Sequence, residues 1–264
     1  MRGIFAGVVL LAVTALPSLF GQPVALNNSQ LDQLVARIAL YPDPLLAQVL
    51  TASTYWTEIP DAAAWADQHS NLKGDALARA IQDDHLEWDP SILALIPFPS
   101  VLDMMASDPG WTEQLGNAVL SQHDQVMDAV QRMRNKAKAN GYLQPNSYLN
   151  VASTGGYIEI LPVDPGLIYV PEYDPFVIFS RPAHGPVIGG AIRFGPGITI
   201  GAAFAPFGWI GRPAFVWPSH TILIDRRPWG RTWVNRASYV HPYTVPRIIG
   251  PRVEHHELRG RLHR

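Results

Sequence analysis

Cysteine is absent from this chain of 264 residues. The protein therefore has no disulfide, no thiolate that could bind a metal or act as a nucleophile, and no cysteine for a lipid anchor. Packing and noncovalent interactions must hold the fold together. The length is sufficient for one or two domains with a real hydrophobic core.

Charge is also scarce, since Asp, Glu, Lys and Arg make up 16% of the residues. The sequence lacks the zinc-protease pattern HExxH, the serine-hydrolase pattern GxSxG, a P-loop and a dinucleotide-binding fingerprint. These absences remove the positive signs of an enzyme without excluding one. We accordingly predict no cofactor and no metal site.

The N-terminus has the layout of a secretory signal peptide, which we assign to residues 1–21. Arg2 precedes an uncharged apolar run from Gly3 to Leu16, and small residues follow near Gly21. The run is short for a membrane span, although an uncleaved membrane anchor remains an alternative. Export predicts a periplasmic or envelope location, where nucleic acid is not an expected partner.

Residues 29–141 are predicted to form an acidic bundle of short helices. Apolar residues recur at helical spacing, and Asp-Pro pairs at Asp43, Asp89 and Asp108 are expected to cap three helix starts. Ser29 is expected to cap the first helix. The stretch from 108 to 139 predicts one long helix, or two joined near Ser121, and Asn140-Gly141 is a suitable left-handed end.

The chain then changes character, because most of its prolines and glycines follow Gly141. Residues 142–156 are predicted to be a linker. Within Tyr157–Phe179 a ten-residue tandem repeat aligns Val163–Tyr169 with Tyr173–Phe179, and each copy predicts an Asp-Pro turn followed by a short strand. We therefore predict an α+β fold with a mostly antiparallel β unit over residues 157–240.

Further strands are expected within this β unit. The segment from Ile198 to Ala205 alternates with a period of two, and 215–217 and 221–224 are also strand-like. The spacing of Gly197 and Gly201 leaves membrane insertion or oligomerisation of the glycine-rich part as an alternative. Residues 241–264 predict an unordered basic tail.

Several motifs resemble, in order, a family of exported bacterial proteins that is defined only by a domain of unknown function. They are ALYPDPLLAQVLTASTY (Ala39–Tyr55), WDPSILAL, FPSVLDMM, VQRMRNKAKANGYL (Val130–Leu143) and YVPEYDP. The resemblance covers most of residues 30–180. It implies an envelope location and a common fold unit, and it supplies no catalytic residue, cofactor or substrate.

The densest group of acid–base side chains lies between Asp83 and Asp89. Asp84, His85 and Glu87 are weak candidates for catalysis or for binding a divalent cation. The simpler interpretation is that these acids are the solvated end of one helix and the cap of the next. A periplasmic metal-dependent hydrolase that uses this cluster is therefore the alternative function.

Charge is distributed unevenly along the chain. Residues 22–140 hold 15 Asp/Glu and 7 Lys/Arg, whereas residues 211–264 hold 3 Asp/Glu and 10 Arg. Arginine binds phosphates and carboxylates through paired hydrogen bonds and stacks on aromatic rings. We predict binding to an anionic surface by six residues: Arg226, Arg227, Arg231, Arg236, Trp229 and Trp233.

The sequence thus favours a non-enzymatic structural or binding module of the cell envelope. Its predicted partner is a lipid headgroup, an anionic glycan or an acidic protein face, and membrane association is compatible with it. An alternative of equal weight is that the basic segment folds back onto the acidic helices, or is simply solvated.

Overall fold

The computed structural model describes residues 23–180, 190–209 and 214–242. The predicted signal peptide, the stretch 181–189 and residues 243–264 of the predicted tail lie outside the described residues. The α-helices are α1 (Asn28–Val35), α2 (Asp43–Ser53), α3 (Ile59–Gln68), α4 (Gly74–Asp83), α5 (Pro90–Leu93), α6 (Pro99–Ser107), α7 (Pro109–Ser121), α8 (His123–Ala139) and α9 (Pro175–Phe179). The predicted helical bundle is confirmed.

Two of the three Asp-Pro helix starts work as the sequence predicts. The Asp89 carboxylate accepts the Ser91 amide at 2.9 Å, and that of Asp108 accepts the Trp111 amide at 3.1 Å. The prediction for Asp43 is wrong, because its buried carboxylate makes no cap bond and faces the core. The cap predicted at Ser29 lies instead at Asn27, whose side chain accepts from Gln30.

The long helical stretch is divided into two helices that are separated at Gln122, near the predicted joint. The chain leaves α8 through Gly141, whose φ of 83° is the predicted left-handed end. Helix α7 packs very closely on α2. A Cβ placed on Gly116 would lie 2.1 Å from the carbonyl oxygen of Ser53, so only glycine fits there.

The strands follow the helices and are short and antiparallel. They are β1 (Leu149–Thr154), β2 (Tyr157–Pro162), β3 (Leu167–Ile168), β4 (Pro171–Tyr173), β5 (Ile192–Phe194), β6 (Ile198–Thr199), β7 (Phe215–Val216), β8 (Thr221–Ile224) and β9 (Arg227–Pro228). Pairs form between β1 and β2, β3 and β6, and β4 and β5, and β7, β8 and β9 form a three-stranded sheet. The predicted α+β fold is confirmed.

The predicted linker 142–156 is wrong, because it contains most of a β-hairpin. Thr154 pairs with Tyr157 across Gly155-Gly156, whose φ angles of 59° and 87° are those of a tight primed turn. The glycine pair therefore marks a two-residue hairpin loop. Strand β2 lies against α2 and α8, so the hairpin covers the helical bundle.

The two copies of the tandem repeat adopt different structures. In the first copy, the Asp-Pro turn leads into strand β3 as predicted. In the second copy the predicted strand is wrong, because the Asp174 carboxylate accepts the Phe176 amide at 2.8 Å and Pro175 opens α9. The same helix-start chemistry that operates at Asp89 and Asp108 therefore overrides the β propensity of the apolar run.

The glycine-rich segment is only partly a strand. Pairing ends at Thr199, and Ala202–Phe207 form a 3₁₀-helix, which places Phe204 and Phe207 in the core. The strand predicted over 215–217 likewise ends at Val216, whereas the strand over 221–224 is confirmed. Within the described ranges, no helix is both long and apolar enough to span a membrane.

A buried polar cluster joins the helices to the β1–β2 hairpin and to Trp217, the residue that follows β7. The Arg134 guanidinium, which is 0% exposed, lies 2.7 Å from the Asp43 carboxylate. It also donates to the carbonyl oxygens of Ala39, Tyr41 and Ile158 at 2.8, 3.1 and 2.8 Å.

The Asp43 carboxylate has partners in the hairpin and beyond it. The Trp217 indole N–H donates to it at 3.3 Å, and the Ile160 amide donates at 3.4 Å. Burial raises the pKa of Asp43, and the Arg134 charge opposes this effect. These bonds fix the hairpin against α8 and α2.

Candidate functional site

A small acidic notch lies where α2 ends and α5 begins. We define the acidic notch as Thr54, Tyr55, Glu58 and Asp89. Thr54 is the C-cap that follows α2, Glu58 lies in a short 3₁₀-helix, and Asp89 caps α5. The Glu58 carboxylate accepts the Asp89 amide at 2.9 Å, which fixes the two acidic residues side by side.

A C-terminal segment, residues 229–242, lies over this notch, and we call it the strap. Within the described part of the chain it has neither helix nor strand. Trp229 is 5% exposed and anchors one end in the core. The Trp233 amide donates to the carbonyl of Leu120 at 2.8 Å. Side-chain anchors and single backbone bonds therefore hold the strap, as they would hold a bound peptide.

Arg231 is the central contact between strap and notch. Its guanidinium lies 3.7 Å from the centre of the Tyr55 ring and donates to the carbonyl oxygen and hydroxyl of Thr54 at 2.6 and 3.0 Å. The Thr54 carbonyl is one of the orphan acceptors at the C-terminal end of α2, where the helix dipole favours a cation. Hydrogen bonds, ring stacking and the helix dipole thus act on the same group.

His241 makes the second contact. Its Nε2 lies 2.5 Å from one carboxylate oxygen of Asp89, and the other oxygen accepts the Ser91 amide and hydroxyl at 2.9 and 2.5 Å. The His241 ring also meets the Tyr239 ring edge to face, with centroids 5.4 Å apart. The end of the strap is therefore fixed by a carboxylate whose own position is set by the start of α5.

The pKa values of Glu58 and Tyr55 in the notch and of Tyr239 in the strap are all raised. Burial raises the pKa of Glu58, and the neighbouring Asp89 charge raises it further. Burial also raises the pKa of the Tyr55 and Tyr239 hydroxyls, and the Asp89 charge adds to both effects. The Arg231 charge opposes all three increases in pKa without reversing them, so it partly offsets the negative charge of the notch.

This arrangement is suited to binding a cation. Ser91 and His241 both contact Asp89, so the carboxylate stands between the hydroxyl and the imidazole. In a serine hydrolase the imidazole must instead contact the hydroxyl directly in order to remove its proton. The notch supplies a carbonyl oxygen, a hydroxyl and an aromatic face to the Arg231 guanidinium, and the Asp89 carboxylate to the His241 ring.

The structure separates the residues of the predicted catalytic cluster. Asp89 faces inward, whereas Asp84, His85 and Glu87 are exposed. The Asp84 carboxylate accepts the Trp65 indole N–H at 2.8 Å, and the His85 ring contacts the carbonyl of Gln82. In the three described ranges, no group of three or more His, Cys, Asp or Glu side chains converges on a point where a metal could bind.

The predicted anionic-surface residues fall into two sets. Arg226 and Arg227 are exposed at the turn between β8 and β9. The other four belong to the strap and are engaged within the molecule: Arg231, Arg236, Trp229 and Trp233. The alternative that the basic segment folds back onto the acidic helices therefore describes residues 229–242.

Comparison with known proteins places the chain in a family. Residues 27–226 match DUF3300, described as a protein of unknown function. The chain belongs to the DUF3300 family. The resemblance inferred from the YPDP and YVPEYDP motifs is thereby confirmed.

A curated relative of this DUF3300 chain is the Uncharacterized protein YacH of Escherichia coli (strain K12). The two are 31% identical over 229 residues, which cover 69% of this chain and 37% of YacH. The chain thus spans well under half the length of this relative. No solved structure matches the chain.

The motifs that carry the DUF3300 resemblance serve the fold. Asp43 of YPDP and Arg134 of VQRMR form the buried ion pair. The hydroxyl of Tyr173, in YVPEYDP, donates to the carbonyl of Ala36 at 2.9 Å and accepts the Leu40 amide at 3.2 Å. Sequence reasoning did not find the notch, because its contacts join residues up to 177 positions apart.

Proposed function

We propose that this DUF3300 protein is exported to the cell envelope and acts there as a non-enzymatic module that binds an anionic surface. The apolar N-terminus with its single leading arginine supports export. The separation of charge along the chain supports a contact made through its basic part. Lipid headgroups, anionic glycans and acidic protein faces share the chemistry that such a contact recognises.

The exposed turn between β8 and β9 carries this proposal. Asp225 and Arg226 both have positive φ, 49° and 59°, which gives a tight turn, and Arg226 and the next residue, Arg227, are both exposed there. Neither arginine forms an ion pair with a carboxylate in the described ranges. Arg227 donates to the carbonyl of Pro242, and this contact orients its side chain. Two consecutive exposed arginines are therefore available to an external anion.

The test compares full-length protein with the variant Arg226→Gln/Arg227→Gln in sedimentation with lipid vesicles. We expect wild-type protein to bind vesicles that contain an anionic lipid, to bind zwitterionic vesicles weakly, and to lose binding as salt is added. The double variant should bind anionic vesicles several-fold more weakly.

The matched control removes two positive charges elsewhere. Lys73 and Arg79 are exposed on the acidic helical part, so Lys73→Gln/Arg79→Gln changes net charge equally without touching the turn. This control should retain most of the binding. Equal losses in both variants would show a response to net charge alone and would reject the turn as the binding site. Fractionation of cells that make the protein tests the export step separately.

A further inference from the structure

The acidic notch has the features of a peptide-binding site that is filled by the chain itself. The notch residues lie inside the DUF3300 match, which spans residues 27–226, whereas the strap begins at Trp229. The family unit therefore contains the notch without containing the segment that covers it. Receptor and ligand are here parts of one polypeptide.

The strap binds in the manner of a recognition peptide. Val234 and Val240 are 85% and 82% exposed, so the stretches between its anchors contribute little burial. Recognition is concentrated in Arg231 and His241, which contact the notch, and in the flanking Trp229, Trp233 and Tyr239. Interfaces with peptides commonly concentrate their binding energy in a few arginine and aromatic anchors of this kind.

The chemistry of the notch specifies arginine. Thr54 offers two acceptors to one guanidinium nitrogen while the Tyr55 ring stacks on the guanidinium plane. The remaining N–H groups of Arg231 donate to the carbonyl of Arg236 at 3.3 and 3.0 Å, so the strap turns back on itself to complete the shell of acceptors. A lysine ammonium has neither the planar face nor the fork of donors that this site uses.

We propose that the acidic notch is a binding site for an arginine-containing polypeptide segment of another protein, and that the strap occupies the site in cis. The segment it takes carries an arginine followed by a turn and a histidine, as the strap does. A strap tethered to the same chain has a high effective concentration, so a partner competes with it for the notch. This inference is independent of the anionic-surface proposal.

The test uses full-length protein and a fluorescent peptide with the sequence of residues 230–242. The variant Arg231→Gln/His241→Gln removes both strap anchors from the notch while leaving the notch intact. We expect this variant to bind the peptide saturably in fluorescence anisotropy. Wild-type protein, whose notch is occupied, should bind it at least about 30-fold more weakly.

Substitutions in the peptide keep the test independent of protein folding. A peptide with Arg231→Gln should bind about 30-fold more weakly, because it loses the hydrogen bonds to Thr54 and the contact with the Tyr55 ring together. A peptide with Arg236→Gln is the matched control, because it loses the same charge from a side chain that stacks on Trp233 of the strap itself. It should bind within about threefold of the unsubstituted peptide. If the double variant fails to fold, Arg231→Gln alone replaces it, because Arg231 is the central contact with the notch.

Three outcomes would overturn the proposal. In the first, Arg231→Gln/His241→Gln fails to bind the peptide although its circular dichroism spectrum matches that of the wild type and its unfolding is cooperative. The two peptide substitutions could weaken binding equally, which would show attraction by charge alone. Light scattering could show a dimer that is lost on Arg231→Gln, which would assign the notch to the strap of a second copy of this chain.

Discussion

Replacement of Arg134 by methionine should strongly destabilise the protein, because it leaves a buried carboxylate without its partner. The side chain is fully buried and lies 2.7 Å from the Asp43 carboxylate, and it satisfies the carbonyls of Ala39, Tyr41 and Ile158. Breaking a buried ion pair by removing one partner costs about 3–5 kcal/mol. For a chain of this size each kcal/mol lowers Tm by about 2–4 °C, so we expect a decrease of roughly 6–20 °C.

Thermal and urea unfolding, followed by circular dichroism, measure this change. Arg132→Met is the matched control, since Arg132 lies on the same helix and pairs with Asp32 at 2.7 Å where both side chains are about one-third exposed. It should cost less than about 1 kcal/mol. Similar losses for Arg132→Met and Arg134→Met would refute the reasoning.

A second variant separates the cost of the charge from the cost of lost packing. In Arg134→Met/Asp43→Asn the buried negative charge is removed together with its partner. Ile160 and Trp217 donate to different oxygens of Asp43, so the single asparagine oxygen can keep one of these two hydrogen bonds. We expect this double variant to be more stable than Arg134→Met alone. A double variant less stable than the single one would show that the unpaired carboxylate does not cause the loss.

The remaining predictions concern a histidine and a glycine. Burial lowers the pKa of His123 below its usual 6.5, so the unfolded chain takes up a proton that the folded chain resists. The free energy of unfolding should therefore fall as pH decreases from 7 through the folded pKa, and His123→Gln should remove part of this slope; an unchanged slope in urea titrations would contradict the assignment. Gly116→Ala should cost about 1–3 kcal/mol, because the new methyl group would meet the Ser53 carbonyl. Gly110→Ala, whose methyl group would have its nearest neighbour at 4.0 Å, should be nearly neutral in the same assay.

Local chemistry made the helical part predictable from the sequence. Asp89 and Asp108 cap helices as expected, and Gly141 ends α8 in the left-handed conformation. These features depend on residues that lie within three positions of one another, so the sequence contains the whole interaction. The same rule applied at Asp174 would have predicted α9 in place of a strand.

The positions of Asp43 and His241, which the sequence does not predict, are set by contacts between residues that are far apart in the chain. Asp43 has the sequence context of a cap, yet its carboxylate pairs with an arginine 91 positions later in the chain. The sequence predicts that His241 begins an unordered tail, yet its ring contacts Asp89, 152 residues away. Spacing along the chain contains no signal for either contact. The hairpin loop at Gly155-Gly156 is a local feature that the sequence prediction also missed, because a glycine pair is compatible with both a linker and a primed turn.

The position of Ile158 has a consequence for how the chain acquires its structure. Its carbonyl accepts from both Arg134 and Gln131, and its amide donates to the Gln131 side chain. Because synthesis proceeds from the N-terminus, the residues of α1 to α8 are made before Ile158. Until Ile158 is made, Arg134 lacks one of its acceptors and Gln131 lacks both of its backbone partners. The buried polar groups of α8 are therefore satisfied only by a strand that is synthesised after the helix itself.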